Sequence, residues 1–285
     1  MSAMSGLEVR VACQQLPLEV GQLERNRALT KDAVREAVAA GARLIVLPEL
    51  SNSGYVFESA EEARACAEPA DGPSLQAWSE EAERGDAVVV GGFCELGEDG
   101  LLYNSAAVVD GGGVLTVYRK LHLWDQEQLV FEPGRECAPV VETRVGRIGL
   151  AICYDLNFPE VARGLALAGA DIVTLPTNWP RYPRPERERP IEVALAMASA
   201  HVSHVFVAAC DRCGEERGVE WTGGSVICDE WGWPLAGPVP GYGSGLLLAD
   251  CDFALARNKA WNERNDVFGD RRPELYRLDE PASIA

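Results

Sequence analysis

The sequence predicts a layered α/β fold built around a mixed β-sheet. Continuous apolar runs such as RLIVLPEL at 43–50 and DIVTLP at 171–176 are typical of strands that are buried on both faces. Segments with apolar residues at helical spacing separate these runs, which favours helices packed on a sheet. The run GGG at 111–113 joins two apolar segments, and such a turn adds antiparallel pairing. A mixed sheet therefore fits better than a purely parallel one, and two sheets packed face to face are compatible with the pattern.

The N-terminal half of the chain alternates strands with helices. Apolar or alternating segments predict strands at 7–16, 43–50, 86–93, 101–110 and 114–120. Helical spacing predicts one helix between Pro17 and Ala40, ended by Gly41, and a second helix near 75–84. Each helix thus connects two strands, as expected for a layered α/β domain.

The C-terminal half continues the same pattern. Strands are predicted at 147–155, 171–176, 204–210, 223–229 and 245–252. Helices are predicted at 159–168 and at about 189–200, and an irregular tail closes the chain. No break in composition divides the sequence, so we predict a single domain over 1–285 with 260–285 as a C-terminal extension.

Composition and charge limit the possible partners. A formal net charge of −18 without a basic stripe disfavours binding to nucleic acid or to an anionic membrane surface. No segment reaches the apolar length of a membrane span, and residues 1–6 lack the basic start and apolar run of an export signal. The nine cysteines are an odd number and mostly lie in apolar runs, which is typical of a reducing compartment. We therefore expect a cytoplasmic protein.

One cysteine pair has the spacing of a metal or redox site. Cys210 and Cys213 form a C-x-x-C pair, but no second pair and no histidine cluster follows them. We interpret the pair as a coincidence at a strand end and predict no metal site. A metal or redox protein remains a further alternative function.

Three chemically complementary side chains each end a predicted strand. Cys153 ends an apolar strand and precedes a helix, so its thiol lies on a tight turn that exposes a nucleophile and directs backbone N–H groups at an oxyanion. A cysteine thiol needs a nearby base or cation to attack at neutral pH. Glu49 and Lys120 each end another strand and can converge with Cys153 at one sheet edge. A histidine-dependent triad is disfavoured, because none of the three histidines has an evident orienting partner.

Five short motifs follow one another along the chain. They are PEL around Glu49, YRKLHLW around Lys120, ICYDLNFPE around Cys153, PTNW at 176–179 and DRRPELY at 270–276. In this order they resemble the signatures of the nitrilase superfamily of carbon-nitrogen hydrolases, from about Val9 to Tyr276. The resemblance implies a four-layer αββα sandwich with two mixed sheets, a Glu-Lys-Cys triad, no cofactor, and a homodimer or larger homo-oligomer.

The resemblance also implies roles for individual residues. Glu49 is expected to act as the general base for Cys153, while Lys120 and the Tyr154 N–H stabilise the oxyanion. The family pattern has a second glutamate between the lysine and the cysteine, which EQLVFEPG supplies as Glu127, and we expect it to hold Lys120 and to position substrate or water. The candidate walls of the substrate pocket, chosen because each lies near a catalytic strand end, are Tyr55, Trp124, Tyr154, Asn178 and Trp179.

The same motifs bear on the substrate. YRKLHLW followed closely by EQLVFEPG is most similar to the branch of aliphatic amidases, which implies hydrolysis of a small amide to an acid and ammonia through a cysteine thioester. Carbamoyl-amino-acid hydrolases often have an arginine shortly after the cysteine, where this chain has Leu156 and Asn157. The arginines of the loop 180–190 could restore a carboxylate contact, although a solvated loop is the simpler interpretation. The alternatives are an N-carbamoyl amine or amino-acid hydrolase, a nitrilase using the same site, and a catalytically silent scaffold.

Overall fold

The computed structural model describes residues 8–239 and 242–276, and most of its strands form two six-stranded sheets. The strands of the first sheet are β1 (Glu8–Gln15), β2 (Leu44–Val46), β3 (Val88–Leu96), β4 (Leu102–Asp110), β5 (Gly113–Arg119) and β14 (Gly245–Asp252). They lie in the order β14-β1-β2-β3-β4-β5. The strands β1, β2 and β3 are parallel, and the remaining neighbours pair antiparallel, so this sheet is mixed.

The second sheet repeats this arrangement. Its strands are β6 (Val140–Thr143), β7 (Gly146–Leu150), β8 (Ile172–Pro176), β9 (Phe206–Cys210), β12 (Val226–Cys228) and β13 (Pro234–Ala236). They lie in the order β13-β12-β9-β8-β7-β6, with β7, β8 and β9 parallel and the outer pairs antiparallel. A separate small hairpin is formed by β10 (Glu215–Glu216) and β11 (Val219–Glu220).

Helices cover the outer face of each sheet. The α-helices of the described residues are α1 (Leu23–Ala39), α2 (Ala60–Cys66), α3 (Pro73–Gly85), α4 (Pro159–Leu167), α5 (Ile191–Ser203) and α6 (Phe253–Arg257), and four of them form these outer layers. The helices α1 and α3 pack on the first sheet, α4 and α5 pack on the second, and β1 and β3 contact β9 and β8 across the interface between the sheets. The predicted αββα sandwich with two mixed sheets is confirmed. None of the described helices is long and apolar enough to cross a membrane.

The continuous apolar runs are explained by this double coverage. In β3, Val88 and Val90 belong to the core that includes both sheets, whereas Val89 packs with Trp78 in the core under α1 and α3. Successive side chains of a strand point to opposite faces, so a strand that is covered on both faces needs apolar residues at every position. The sequence pattern and the four-layer packing therefore have the same physical cause.

The predicted strands and helices are observed with shifted ends, and two shifts bear on the site. The strand predicted at 43–50 ends at Val46, three residues before Glu49, so Glu49 lies in the loop after the strand rather than at its end. The strand predicted at 147–155 ends at Leu150, so Cys153 is not the end of a strand but begins a 3-10 turn three residues later. The prediction is wrong there because the Asp155 side chain accepts the Ile152 N–H at 3.0 Å, which replaces the ladder hydrogen bond. The short elements that the sequence analysis did not predict are α2, α6, β6, β13 and the β10–β11 hairpin.

The C-terminal part of the described chain is largely irregular. The described part of the predicted extension, 260–276, holds little regular structure apart from a 3-10 turn at Pro273–Leu275. Residues 277–285, and the first six residues for which no export signal is predicted, lie outside the described residues. The extension and the absence of a signal stay predictions.

Candidate active site

Lys120 joins two glutamates in a buried cluster. Its Nζ lies 2.6 Å from Glu49 Oε1 and 2.8 Å from Glu127 Oε1. Lys120 directly follows β5, Glu49 follows β2, and Glu127 lies in the 3-10 turn Asp125–Leu129. Burial lowers the pKa of Lys120, but the two carboxylates outweigh burial and leave that pKa raised, so the ammonium form persists. An ammonium has three N–H donors, and the third is available to a substrate atom.

Glu49 has one occupied and one free carboxylate oxygen. Its Oε1 accepts hydrogen bonds from Lys120 Nζ and, at 2.8 Å, from Asn104 Nδ2. Its Oε2 is buried and has no hydrogen-bond partner among the residues described. Burial raises the pKa of Glu49 to about 7, with Lys120 opposing the rise and Glu127 adding to it. A carboxylate with a free oxygen and a near-neutral pKa is suited to general base catalysis.

Cys153 lies on a strained turn after β7. Its φ is 45°, a region that non-glycine residues rarely adopt and that a nucleophile on a sharp strand-to-helix turn typically adopts. Burial and Glu49 raise the pKa of the Cys153 thiol, and Lys120 opposes them, so the thiol is neutral at pH 7 and needs a base. Asn178 links the thiol to the glutamate, because its side-chain amide donates to the Glu49 carbonyl oxygen at 3.0 Å, and Glu49 in turn contacts Lys120. The thiol also lies 3.9 Å from the Asn178 carbonyl oxygen.

Asp155 holds the cysteine turn in place. Its Oδ2 accepts hydrogen bonds from the Ile152 N–H at 3.0 Å and the Tyr118 hydroxyl at 2.8 Å, and its Oδ1 accepts the His122 N–H at 3.1 Å. His122 Nδ1 lies 2.7 Å from the same Oδ1. The expectation that no histidine has an orienting partner is therefore wrong for His122. The pairing was not evident because 33 residues of chain separate His122 from Asp155. A signal was present in the sequence, namely the acidic residue Asp155 two positions after Cys153.

Tyr55 forms a hydrogen bond with the second glutamate in addition to lining a cavity. Its hydroxyl donates to Glu127 Oε1, while the Trp124 N–H donates to Glu127 Oε2 at 3.2 Å. Burial and Glu127 raise the pKa of Tyr55, which keeps the hydroxyl protonated as a donor. The Tyr55 N–H donates at 2.9 Å to Glu216, which forms a buried ion pair at 2.9 Å with Arg212. This pair was not predicted, because its members are separated from Tyr55 by more than 150 residues of chain.

A cavity of about 490 Å³ opens at Cys153. Four of the five predicted pocket residues line it, namely Trp124, Tyr154, Asn178 and Trp179. The fifth, Tyr55, lines an adjoining cavity of about 280 Å³ together with Glu127. Tyr182, which the sequence analysis did not single out, lines both cavities and comes from the arginine-rich loop 180–190. Seven of the nine predicted site residues thus line the two neighbouring cavities, whereas Glu49 and Lys120 are fully buried behind them, with Lys120 in contact with Glu127.

The Cys210–Cys213 pair has other contacts. Cys210 Sγ donates to the Gln14 carbonyl oxygen at 3.3 Å, and both cysteines are buried. Among residues 8–239 and 242–276, no three side chains of His, Cys, Asp or Glu are grouped so that they could hold a metal ion. The metal alternative gains no support from these contacts.

Comparison with known proteins identifies the family. The family model described as carbon-nitrogen hydrolase matches residues 10–260. The chain therefore belongs to the carbon-nitrogen hydrolase family, and it is an amidase-type hydrolase of carbon-nitrogen bonds. The predicted relationship to the nitrilase superfamily is confirmed.

Several relatives are similar along most of the chain. A nitrilase of Pyrococcus abyssi is 35% identical, over 94% of this chain and 99% of the relative. A deaminated glutathione amidase of Rattus norvegicus is 33% identical, over 89% of this chain and 79% of the relative. A solved structure of a variant amidase from Nesterenkonia sp. AN1 has a TM-score of 0.76 and 28% identity, and covers 96% of this chain and 97% of that one. It shows covalent addition of the acetamide moiety of fluoroacetamide at the active site cysteine of that amidase.

Proposed function

We propose that the protein hydrolyses a small aliphatic amide to a carboxylic acid and ammonia through a thioester at Cys153. The observation that carries this proposal is the contact of Lys120 with both Glu49 and Glu127 beside a thiol on a strained turn. A nucleophile, a base and an oxyanion donor are the groups that acyl transfer requires. The covalent adduct on the cysteine of the Nesterenkonia amidase is consistent with this chemistry.

In the first half-reaction, Cys153 attacks the amide carbonyl carbon. The thiol proton passes to the free Oε2 of Glu49, and the carbonyl oxygen becomes an oxyanion that Lys120 Nζ and the Tyr154 N–H stabilise. Glu49 then gives its proton to the amide nitrogen, the carbon-nitrogen bond breaks and ammonia leaves. The acyl group remains on sulfur as a thioester.

In the second half-reaction, water attacks the thioester. Glu49 removes a proton from the water, the same donors stabilise the second oxyanion, and the carbon-sulfur bond breaks. The proton returns from Glu49 to the departing thiolate and the acid is released. Glu127 keeps Lys120 directed at the oxyanion through the 2.8 Å contact.

Two other reactions remain open for the same residues. A nitrile could accept the thiol to form a thioimidate, and an N-carbamoyl amine could lose its carbamoyl group through the same attack. The relatives include a protein named nitrilase and a deaminated glutathione amidase, so the family alone does not choose among substrates. We favour the amide because Leu156 and Asn157 follow the cysteine where carbamoyl-amino-acid hydrolases often place an arginine.

An ammonia-release assay tests the proposal. Propionamide, propionitrile and N-carbamoyl-propylamine are compared at equal concentration, and we expect the amide to give the highest kcat/KM. A nitrile or carbamoyl compound ranked first would replace the amidase proposal with the corresponding alternative. Turnover of none of several short substrates would favour the silent scaffold.

Two variants complete the assay. Cys153→Ala should abolish ammonia release and prevent the acyl adduct that mass spectrometry of quenched wild-type protein should show on Cys153. Cys137→Ala, which removes an exposed cysteine away from the cavity, is the matched control and should keep wild-type activity. Full activity of Cys153→Ala would remove this thiol from the chemistry. A homodimer or larger assembly is part of the proposal by family analogy, and light scattering tests it.

A further inference from the structure

The charged lining of the cavity at Cys153 is acidic. Glu192, in the first turn of α5, is the one charged residue among the described residues that line it. The adjoining cavity is lined by the acidic residues Asp125 and Glu127 and, within the described residues, by no basic one. Apart from Lys120, which is held by two glutamates, the substrate space therefore faces carboxylates.

The arginines of the neighbouring loop are directed elsewhere. Arg181 forms an ion pair with Glu220 at 3.1 Å, and the Arg184 guanidinium lies 5.0 Å from the centre of the Tyr242 ring. Arg189 Nη1 contacts the Met197 sulfur at 2.6 Å. All of the arginines between 181 and 189 line a different cavity, formed by their own loop and Tyr242, which shares only Tyr182 with the cavity at Cys153. The carboxylate clamp that this loop could have supplied is thus not formed at the substrate cavity.

Glu192 is available to a ligand. It is half-buried, and its carboxylate makes no hydrogen bond or ion pair with the residues that the structure describes. Tyr182 connects Glu192 to the site, because it lines the cavity at Cys153 together with Glu192 and also lines the adjoining cavity together with Asp125. The Glu192 carboxylate, the tyrosine and the Cys153 thiol therefore border one cavity.

We propose that Glu192 selects amides whose acyl chain carries a protonated amino group away from the scissile bond. This inference rests on the proposed amidase function and narrows its substrate class. An ammonium group in the cavity would form an ion pair with Glu192 and lie near Asp125, whereas a carboxylate would meet like charge with no arginine to pair with. A carboxylate in a first helical turn also stabilises the helix, so the test must measure substrate preference rather than protein stability.

Three amides of equal chain length test the proposal. They end in an ammonium, a methyl and a carboxylate group, and kcat/KM is measured for each at pH 7.5. We expect the order ammonium, methyl, carboxylate for the wild-type enzyme. Glu192→Gln should lower the ratio of kcat/KM for the ammonium amide to kcat/KM for the methyl amide about tenfold, because a charged hydrogen bond is lost. Glu192→Lys should invert the preference between the ammonium and carboxylate amides.

A matched control and a binding measurement separate the possible outcomes. Glu188→Gln removes an exposed carboxylate that lines only the arginine-loop cavity, and it should keep the wild-type ratios. The inference would be overturned if the kcat/KM ratios among the three amides were the same in wild-type and Glu192→Gln enzyme. An equal decrease of kcat/KM on all three amides in Glu192→Gln would overturn it as well. The dissociation constants of the same amides for Cys153→Ala, with and without Glu192→Gln, report the charge preference even if no amide is turned over. Failure of the amidase function and failure of the charge preference are therefore distinguishable.

Discussion

His122 Nδ1 and Asp155 Oδ1 are 2.7 Å apart, and this contact joins the segment that carries Lys120 to the turn that carries Cys153. Asp155 also accepts the N–H of Ile152, the residue before the nucleophile. The His122 ring is stacked on Phe158 with a centroid distance of 3.6 Å, which limits its rotation. Two catalytic groups from different sheets are thus held in register by one buried carboxylate.

Asp155→Ala should weaken both the fold and catalysis. It leaves two buried N–H groups, a hydroxyl and an imidazole nitrogen without their acceptor, and we expect a loss of about 3 kcal/mol in the free energy of unfolding. Urea denaturation measures this loss, and kcat should fall by at least tenfold under conditions where the variant is folded. Asp155→Asn keeps the shape and part of the acceptor capacity, so it should lose less of both quantities. Unchanged kcat in folded Asp155→Ala would contradict a positioning role.

His122→Gln tests whether the histidine is itself a base. We expect kcat to decrease only a few-fold, and the acidic limb of the pH–rate profile to stay where the wild-type enzyme has it, because Glu49 remains the base. If the acidic limb disappeared in His122→Gln and remained in Glu49→Gln, the result would instead support a Cys-His-Asp arrangement. The profile rather than the rate alone decides between them.

Lys120→Met should destabilise the protein more than a surface lysine substitution does. It leaves Glu49 and Glu127 buried close together without their shared cation, and removing one partner of a buried ion pair costs about 3–5 kcal/mol. Calorimetric or urea unfolding measures the loss. The double variant Lys120→Met with Glu127→Gln should recover part of the stability and none of the activity. Additive stability changes in the two single variants and the double variant would show that the pair is not coupled.

Glu127→Gln should reduce the rate more than it weakens the fold. The amide keeps the hydrogen-bond geometry to Tyr55 and Trp124 in part, but it no longer balances the Lys120 ammonium, and we expect kcat to fall by about 100-fold or more. Tyr55→Phe removes only the hydroxyl donor to Glu127 and should lose less. Steady-state kinetics with unfolding curves of each variant gives both quantities. An unchanged rate in Glu127→Gln would leave Glu127 without a part in the reaction.

The pH dependence follows from Glu49. Since burial raises its pKa to about 7, activity should fall as the pH drops below 7, where Glu49 is protonated and cannot accept the thiol proton. Alkylation of Cys153 by iodoacetamide should show the same midpoint, although burial raises the pKa of the thiol itself. Glu49→Gln should remove this midpoint from the alkylation profile. Alkylation that rises only above pH 9 in wild-type enzyme would mean that Glu49 does not act on the thiol.

The raised pKa of Glu49 should also change how the stability of the protein depends on pH. A glutamate with a higher pKa in the folded state binds its proton more tightly there, so its contribution to stability is present at low pH and is lost as the pH rises from about 4.5 through about 7. As the pH rises across this interval, the unfolding free energy of the wild-type protein should therefore fall relative to that of Glu49→Gln protein. An opposite slope would indicate that Lys120 holds Glu49 ionised well below neutrality.

Local signals in the sequence were sufficient for most of the fold. Runs such as RLIVLPEL predict buried strands because each strand face is covered by another layer, and the glycine turn at 111–113 predicts the antiparallel pair of β4 and β5. The short elements α2 and β6 were missed, since seven and four residues carry too little periodicity to be distinguished from loops. The position of Cys153 was misjudged by three residues, because a side-chain hydrogen bond rather than an apolar pattern ends β7.

The sequence by itself determined the types of chemistry, because a thiol, a carboxylate and an amine at the ends of apolar segments are local facts, and five ordered motifs resemble one family. Only the tertiary structure decided which oxygen of Glu49 is free, that Asp155 pairs with His122, and that Glu192 rather than an arginine faces the substrate cavity. These contacts join residues that are distant in the chain. Their geometry depends on how two sheets and their loops pack, which no local pattern encodes.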